Sequence, residues 1–425
     1  MDYYHRFAND ESSKKSRKIV WAFYPILSTF SSVPKHLNNL SLLNEDLYPY
    51  LIKDSVKRDG FTFYDTIDLK CSPKLLVPYF YRPDFAHIDL LDVNSSKLIK
   101  RWSMDFKKLG IETYNNSEGL QHPLLVQDSS IIAIAANKLL KIDKHSKVIW
   151  TLPDIVFHHS LEKDDEGNIF GCTYNTSIKK YSFFPTTICD NKDFNMRYDY
   201  LTKVNGNSGE IIYSKNVIDI LVENGYKKLL YPNGNLILND IVHLNEVNPA
   251  LTSTKYWNKG DLLISCRTLS ILFIYRPTTN KIIWLKQGPW MHQHSPCFLP
   301  NNQIAVLSNS SFDYLKQVFH TSDKDLDQKL VKTSFYTPQQ LYSQVFIYDF
   351  ETNEVTEPYK NMLEKEKFQT TFEGRLSVLP DKSIFIEETN KGRIFIVDFN
   401  NKKIEFTKRI DRRYITKLIW SRAMY

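Results

Sequence analysis

The sequence predicts an all-β fold: a six-bladed β-propeller of four-stranded antiparallel blades, with a partly helical N-terminal segment packed outside it. Three observations carry that expectation. An apolar strand, a turn of Asp, Asn, Thr or Ser with a Lys, and a second apolar strand recur as one phrase along the chain. A shorter phrase, a turn and then a strand, precedes most copies. Aromatic residues make up 14% of the 425 residues, with 25 Tyr and 26 Phe, and these types favour the half-buried, pleated surface of a sheet.

Residues 1–70 read differently from the rest. "LNNLSLLNEDLYPYLIKD" has helical spacing, which predicts an extension outside the ring. The run from Ile19 to Pro34 is uncharged and follows a basic lead. It is shorter than a membrane span, Pro25 interrupts it, and no small-residue cleavage site follows. A packed segment is expected there rather than an export signal, and membrane association stays open.

From residue 71 to 425 the phrases define the propeller. The hairpin phrase reads "HIDLLDVNSSKLIKRW" at 87–102, "LLKIDKHSKVIW" at 139–150, "LTKVNGNSGEIIY" at 201–213 and "LFIYRPTTNKIIW" at 272–284. Two weaker copies are "VFIYDFETNEVTE" at 345–357 and "IFIVDFNNKKIEF" at 394–406. Turn formers between alternating apolar residues make each a hairpin. The leading phrases are "VQDSSIIAIAA", "KDDEGNIFGCTY", "WNKGDLLISCR", "LPNNQIAVLSN" and "LPDKSIFIEET". A leading phrase joined to a hairpin makes one four-stranded sheet, and six such units follow one another, the first least complete. The C-terminal tail or the N-terminal segment is left to close the ring. Residues 313–343 form a polar insertion in the fifth unit, read as a surface loop or as a lid over one face.

Composition excludes several classes. The net charge of +7 is spread along the chain, with "KKSRK" the densest cluster, so no nucleic-acid partner is expected. A mildly basic surface still attracts small anions. The five cysteines, at 71, 172, 189, 266 and 297, form no CxxC pair, which argues against a disulfide framework or a zinc site. No HExxH, GxSxG or dinucleotide fingerprint is present, and "NGNSGE" lacks the Lys of a phosphate loop.

The histidines follow the repeat. His122 and His159 each stand six residues before the Asp of their leading turn, and His294 stands seven before Asn301. Arg375 takes the place in the sixth unit, and His243 opens the fourth. In a propeller the first strand of every blade lines the central channel, so these side chains are expected to converge on one pocket. A ring of imidazoles suits metal binding or an oxyanion site. The slot holds no carboxylate and does hold an arginine, which favours the anion, with no metal and no cofactor. Arg267, at the end of "LISCR", can hold two oxygens of a sulfate or phosphate group.

These phrases resemble the bacterial arylsulfotransferase family, whose members need no nucleotide sulfate donor. "FHHSLEKDDEGNIF", "NDIVHLNEV", "KGDLLISCRTLSILFI", "TNKIIW" and "QHSPCFLPNNQIAVLSN" carry the resemblance, in order, over about residues 87–406. The resemblance implies a six-bladed propeller that moves a sulfuryl group from an aryl sulfate to a phenolic acceptor, by a ping-pong route through a sulfated histidine. It makes His294 the residue that carries the group, with His159, His243 and Arg267 as its catalytic partners. It adds Asn245 as substrate-binding, beside His122 and Arg375 from the ring. It also implies export from the cytoplasm, although the sequence shows no convincing signal peptide. The alternative readings are a non-catalytic propeller used as an interaction platform, and a hydrolase or sulfated-ligand binder using the same pocket.

Overall fold

The computed structural model describes residues 51–424, apart from 54–58, 65–66, 68, 70–71, 83, 110–119, 177–180, 182–195, 232–239, 311–341, 372, 399 and 411–413. Residues 1–50 of the extension expected over 1–70, and nearly all of the insertion expected at 313–343, lie outside the described residues.

Two short strands come first, β1 (Leu51–Lys53) and β2 (Gly60–Phe63). Three long ones follow, β3 (Lys74–Arg82), β4 (Phe85–Asp92) and β5 (Lys97–Asp105). The next sheet is β6 (Leu120–Leu125), β7 (Ile131–Ala135), β8 (Lys138–Ile142) and β9 (Val148–Leu152). Then come β10 (Val156–Lys163), β11 (Ile169–Asn175), β12 (Tyr198–Val204) and β13 (Ile211–Asn216), followed by helix α1 (Val217–Glu223). The fourth group is β14 (Leu244–Pro249), β15 (Leu262–Cys266), β16 (Ile271–Arg276) and β17 (Lys281–Gln287). The fifth is β18 (His294–Leu299), β19 (Gln303–Ser308), β20 (Gln344–Asp349) and β21 (Val355–Thr356), with α2 (Lys360–Lys365) after it. The last is β22 (Leu376–Val378), β23 (Ile384–Glu388), β24 (Arg393–Val397) and β25 (Lys403–Thr407), before β26 (Tyr414–Thr416) and β27 (Arg422–Met424).

Apart from the two-stranded pair of β1 and β26, the strands form six antiparallel sheets, one per repeat unit, so the fold is a six-bladed propeller. Inner strands β6, β10, β14 and β18 neighbour one another around the channel, with β22 beyond β18 and β27 beside β6. The core lies between blades, because each sheet buries both faces. Phe170, Cys172 and Leu201 of the third blade pack with Ile264, Phe273 and Tyr275 of the fourth. Ala305 and Leu307 of the fifth pack with Ile384, Ile386 and Phe395 of the sixth. This explains why the middle strands read as unbroken apolar runs while the outer ones alternate. Helix α1 begins where the Asn216 side chain accepts the backbone N–H groups of Ile218 and Asp219. No helix among the described residues is long and apolar enough to cross a membrane.

Both chain ends take part in closure. The tail strand β27 pairs with β3 and supplies the inner strand of the first blade. Strand β2, which the sequence places in the N-terminal extension, pairs with β25 as a fifth, outer strand of the last blade. The tail is pinned just before β27: Trp420 and Ser421 donate their N–H groups to the two carboxyl oxygens of Glu387 on β23, at 2.7 and 2.8 Å. Burial pushes the Glu387 carboxyl up to about 7, against the pull of those donors.

Glu387→Ala would leave two buried amide donors without acceptors. A loss of about 1–3 kcal/mol is typical of such a change, and in a domain of this size it lowers the melting temperature by roughly 2–5 °C. A melt followed by circular dichroism checks this, and an unchanged midpoint would show that closure does not depend on Glu387.

Candidate active site

Near the start of each inner strand one residue takes a left-handed backbone. These residues are His122 (φ 50), His159 (φ 54), His243 (φ 48), Ser295 (φ 48), Gly374 (φ 117) and Trp420 (φ 62). In four blades the pairing with the second strand slips at the same place, between Gln121 and Leu124, His158 and Leu161, Leu244 and Glu246, and His294 and Cys297. A bulge of this kind bends the strand and re-aims its side chains. The kinks turn side chains of successive blades toward one place in the channel. At Gly374 only glycine fits, since a Cβ would lie 2.7 Å from Thr370 Cγ2 and 2.9 Å from Leu307 Cδ2.

This geometry corrects the register read from sequence. His294 and Arg375 do not share the slot of His122, His159 and His243. His294 precedes the left-handed Ser295, and Arg375 follows the left-handed Gly374. His294 still reaches the ring, with its centroid 5.7 Å from that of His159. Arg375 does not join it. Its guanidinium is paired with Glu162 and, at 3.3 Å, with Glu246. Arg422 of β27 also holds Glu162, at 2.9 Å. Burial raises the Glu162 carboxyl, but the charges of Arg375 and Arg422 outweigh it and hold the group down at about 2. The Glu162 carboxylate thus sits between two guanidiniums, while burial pushes the Glu246 carboxyl up to about 7 against the pull of Arg375, and the Arg375 guanidinium is directed at these two carboxyls.

The ring itself is close-set. His159 Nε2 is 3.0 Å from His243 Nε2. His243 Nδ1 is 2.5 Å from Asp240 Oδ2. Trp420 stacks on His122 at 4.3 Å, and its ring lies 5.8 Å from His159 and 5.7 Å from His294. Arg267 follows β15, its N–H donates to the His243 carbonyl at 2.9 Å, and its residue is 5% exposed. Burial is the largest cause that drives His294 well below its usual value, and the Arg267 charge comes next. His122 is lowered by burial, then by Arg375 and Arg422. His159 is lowered by burial, then by its imidazole neighbours His158 and His243. His122, His159 and His294 are therefore neutral at neutral pH.

The tautomer of His294 follows from its neighbour. Asn309, just past β19, donates from its amide nitrogen to the carbonyls of Thr370 and Glu373, at 2.8 and 2.6 Å. Its Oδ1 is left to face His294 Nδ1 at 2.7 Å. An amide oxygen only accepts, so Nδ1 carries the hydrogen and Nε2 the lone pair. That Nε2 is buried with no hydrogen-bond partner among the described residues. Both ring nitrogens of His122 and the Oδ1 of Asn245 share this condition. Buried polar atoms are rarely left so, and several around one ring mark a place made for a polar ligand. The Asn245 amide nitrogen is used within the protein, on the Gln293 carbonyl at 2.6 Å, where it ties the fourth blade to the residue before His294.

Four site residues escaped sequence reading. Asn309 and Asp240 sit in coil inside the quoted phrases "QHSPCFLPNNQIAVLSN" and "NDIVHLNEV", where nothing sets them apart from ordinary loop residues. Arg197 donates to His158 at 2.8 Å and pairs with Asp199 at 3.1 Å, a second row behind the ring. Trp420 had a signal: "IWSRAM" in the tail fills the place that "VHLNEV" fills in the fourth blade. Histidine nitrogen NMR checks the tautomer. The intact protein is expected to show His294 protonated at Nδ1 and bare at Nε2, and Asn309→Ala to mix the two forms; a bare Nδ1 in the intact protein would contradict the assignment.

Similar solved structures include a protein of unknown function from Bacteroides caccae, 11% identical over 83% of this chain and 99% of its own, with a TM-score of 0.48. TolB from Acinetobacter baumannii is 8% identical over 83% of this chain and 65% of its own, with a TM-score of 0.42. Virginiamycin B lyase from Staphylococcus aureus is 11% identical over 69% of this chain and 71% of its own, with a TM-score of 0.36. No curated protein matches. The family model for arylsulfotransferase (ASST) matches residues 122–410, a span that holds His122, His159, His243, Arg267, His294 and Asn309. On that match, across most of the propeller, the chain belongs to the arylsulfotransferase family.

Proposed function

We propose that this chain transfers a sulfuryl group from an aryl sulfate to a phenolic acceptor in two steps, with His294 as the carrier. The observation that carries this reading is the bare, buried Nε2 of His294, unclaimed by any group of the described chain while Asn309 holds the ring through Nδ1. A neutral imidazole with a fixed lone pair is a competent nucleophile at neutral pH. Membership of the family supports a sulfotransferase in general terms, and the geometry supports this particular division of labour.

In the first step His294 Nε2 attacks sulfur and the aryl oxygen leaves. The sulfuryl oxygens gather charge as the bonds exchange. Arg267 offers them a planar fork of donors, and His122 offers ring nitrogens with no other partner. The partly exposed His159 and His243 face the leaving and entering oxygens. In the second step the acceptor oxygen attacks the same sulfur and His294 is freed. Trp420 and the imidazoles line the ring with flat π faces, suited to aryl groups on either substrate.

Colour release from 4-nitrophenyl sulfate, with and without added phenol, tests the reading. Phenol-dependent release supports transfer. Phenol-independent release points to hydrolysis, and no release to a propeller that serves only as a platform. Incubation with donor alone is expected to leave the sulfuryl group on residue 294 by mass spectrometry, and His294→Ala to abolish turnover. An adduct on His292 instead would move the nucleophile.

Two further outcomes follow from the electrostatics. The neutral form of His294 persists well below pH 6.5 because burial and Arg267 depress its proton affinity. kcat/KM is therefore expected to stay level as pH falls through 6.5 and to drop only in more acid solution. An acid limb at or above 6.5 contradicts His294 as the attacking base. Arg267→Lys keeps a charge but loses the fork. It is expected to lower kcat by about 100- to 1000-fold with little change in KM, whereas a fully active lysine variant would remove Arg267 from the chemistry.

A further inference from the structure

One carboxylate touches the ring and has no part in the mechanism above. Asp240 stands in the coil before β14, and its Oδ2 meets His243 Nδ1 at 2.5 Å. The same oxygen is 3.5 Å from Arg197 Nη1. On its far side His243 meets His159, Nε2 to Nε2, at 3.0 Å. The other titratable groups facing this chain are His158, whose ring centroid is 4.9 Å from that of His159, Asp199 behind Arg197, and His294 across the ring.

Hydrogen-bond accounting limits where protons sit. An ionised carboxylate only accepts, so His243 Nδ1 carries a hydrogen. Two nitrogens 3.0 Å apart cannot both be bare or both be protonated, so one proton lies between His243 and His159. The pair thus holds a movable proton, with a negative charge fixed at its far end. His122 and His294 have no such arrangement. The ring nitrogens of His122 meet no partner among the described residues, and His294 Nδ1 meets a neutral amide.

We propose that Asp240 is a positioning residue: it holds His243 so that the His243–His159 pair keeps a proton for the aryl oxygen that leaves. This rests on the sulfuryl-transfer reading. As the His294 Nε2–S bond forms, the S–O bond to the aryl group breaks and its electron pair stays on the aryl oxygen. That oxygen takes the Nδ1 proton of His159 while the shared proton passes from His243 Nε2 to His159 Nε2, so one proton still lies between the rings and His243, which began with hydrogens on both nitrogens, keeps only the one on Asp240. The adduct keeps its Nδ1 hydrogen on Asn309, so the positive ring offsets the negative sulfonate. In the second step the acceptor's O–H returns its proton to the pair while its oxygen attacks sulfur and the N–S bond breaks. Asp240 stays ionised throughout. Burial raises its carboxyl, but the His243 hydrogen bond and the His243 and Arg197 charges outweigh this and hold it at about 2.

A good leaving group needs no proton and a poor one does, so the test compares 4-nitrophenyl sulfate with phenyl sulfate on intact protein. Asp240→Asn keeps an oxygen for Nδ1 and loses the charge. It is expected to lower kcat/KM by at most a few-fold with 4-nitrophenyl sulfate and by about 100-fold or more with phenyl sulfate. The adduct on His294 from 4-nitrophenyl sulfate is expected to persist in the variant. Equal loss with both sulfates, or no loss with either, overturns the proposal. Asp240→Glu is a second variant that keeps the charge. It is expected to retain more phenyl sulfate turnover than Asp240→Asn, and the reverse order overturns the proposal as well. If the unaltered protein releases no phenol from either sulfate, the transfer reading falls first and this inference with it. If it transfers and forms the adduct while the variants show no leaving-group dependence, only the inference falls.

Discussion

The site depends on one backbone constraint, the left-handed residue at the head of every inner strand. Side chains on a regular strand alternate between faces, and in a propeller both faces of the inner strands are packed against neighbouring blades. A kink to positive φ breaks that alternation and turns a side chain into the channel. A non-glycine residue there costs on the order of 1–3 kcal/mol, and five of the six positions are not glycine. Packing on either side sustains the strain. The bulged strands rejoin their partners within a few residues, and tight interblade clusters fill the space behind them.

The channel is layered by charge. Glu162, Glu246, Arg375 and Arg422 form a buried group of opposed charges contributed by the third, fourth, sixth and first blades. Such a group gives little stability for the desolvation it requires, but it links four blades. The imidazole ring is its opposite. Burial keeps His122, His159 and His294 neutral there, and three of their ring nitrogens lack partners among the described residues. Burial, and after it the Arg267 charge, lowers the proton affinity of His294.

Closure couples the C-terminal strand to the ring. The tail strand completes the first blade, and the residue that Glu387 pins beside it, Trp420, fills the sixth place of the ring and stacks on His122. Residues 420–424 therefore complete the ring of side chains that the middle of the chain builds. Strand β2 adds a second clasp on the outer edge of the last blade.

The sequence by itself determined the architecture and much of the ring. Alternating apolar residues, bounded by Asn, Asp and Ser turns, are short-range signals, and their repetition reveals six sheets without any contact being known. The histidines of "QHPLL", "FHHSL" and "VHLNE" were legible because they recur at one place in that repeat. What tertiary structure decided is how those places are aimed. The one-residue offsets of His294 and Arg375 arise from bulges, which depend on how two strands slip against each other. The pairing of Arg375 with Glu162 and Glu246, the hold of Asn309 on His294, and that of Asp240 on His243 each require side chains to meet after folding. Asn309 is oriented by carbonyls more than sixty residues further along the chain, and Trp420 reaches His122 only when the ring shuts. Local pattern encodes strands and turns because each is fixed by a few neighbouring residues. Charge state, tautomer and reach belong to the assembled channel, since desolvation and hydrogen bonding there are properties of six blades at once.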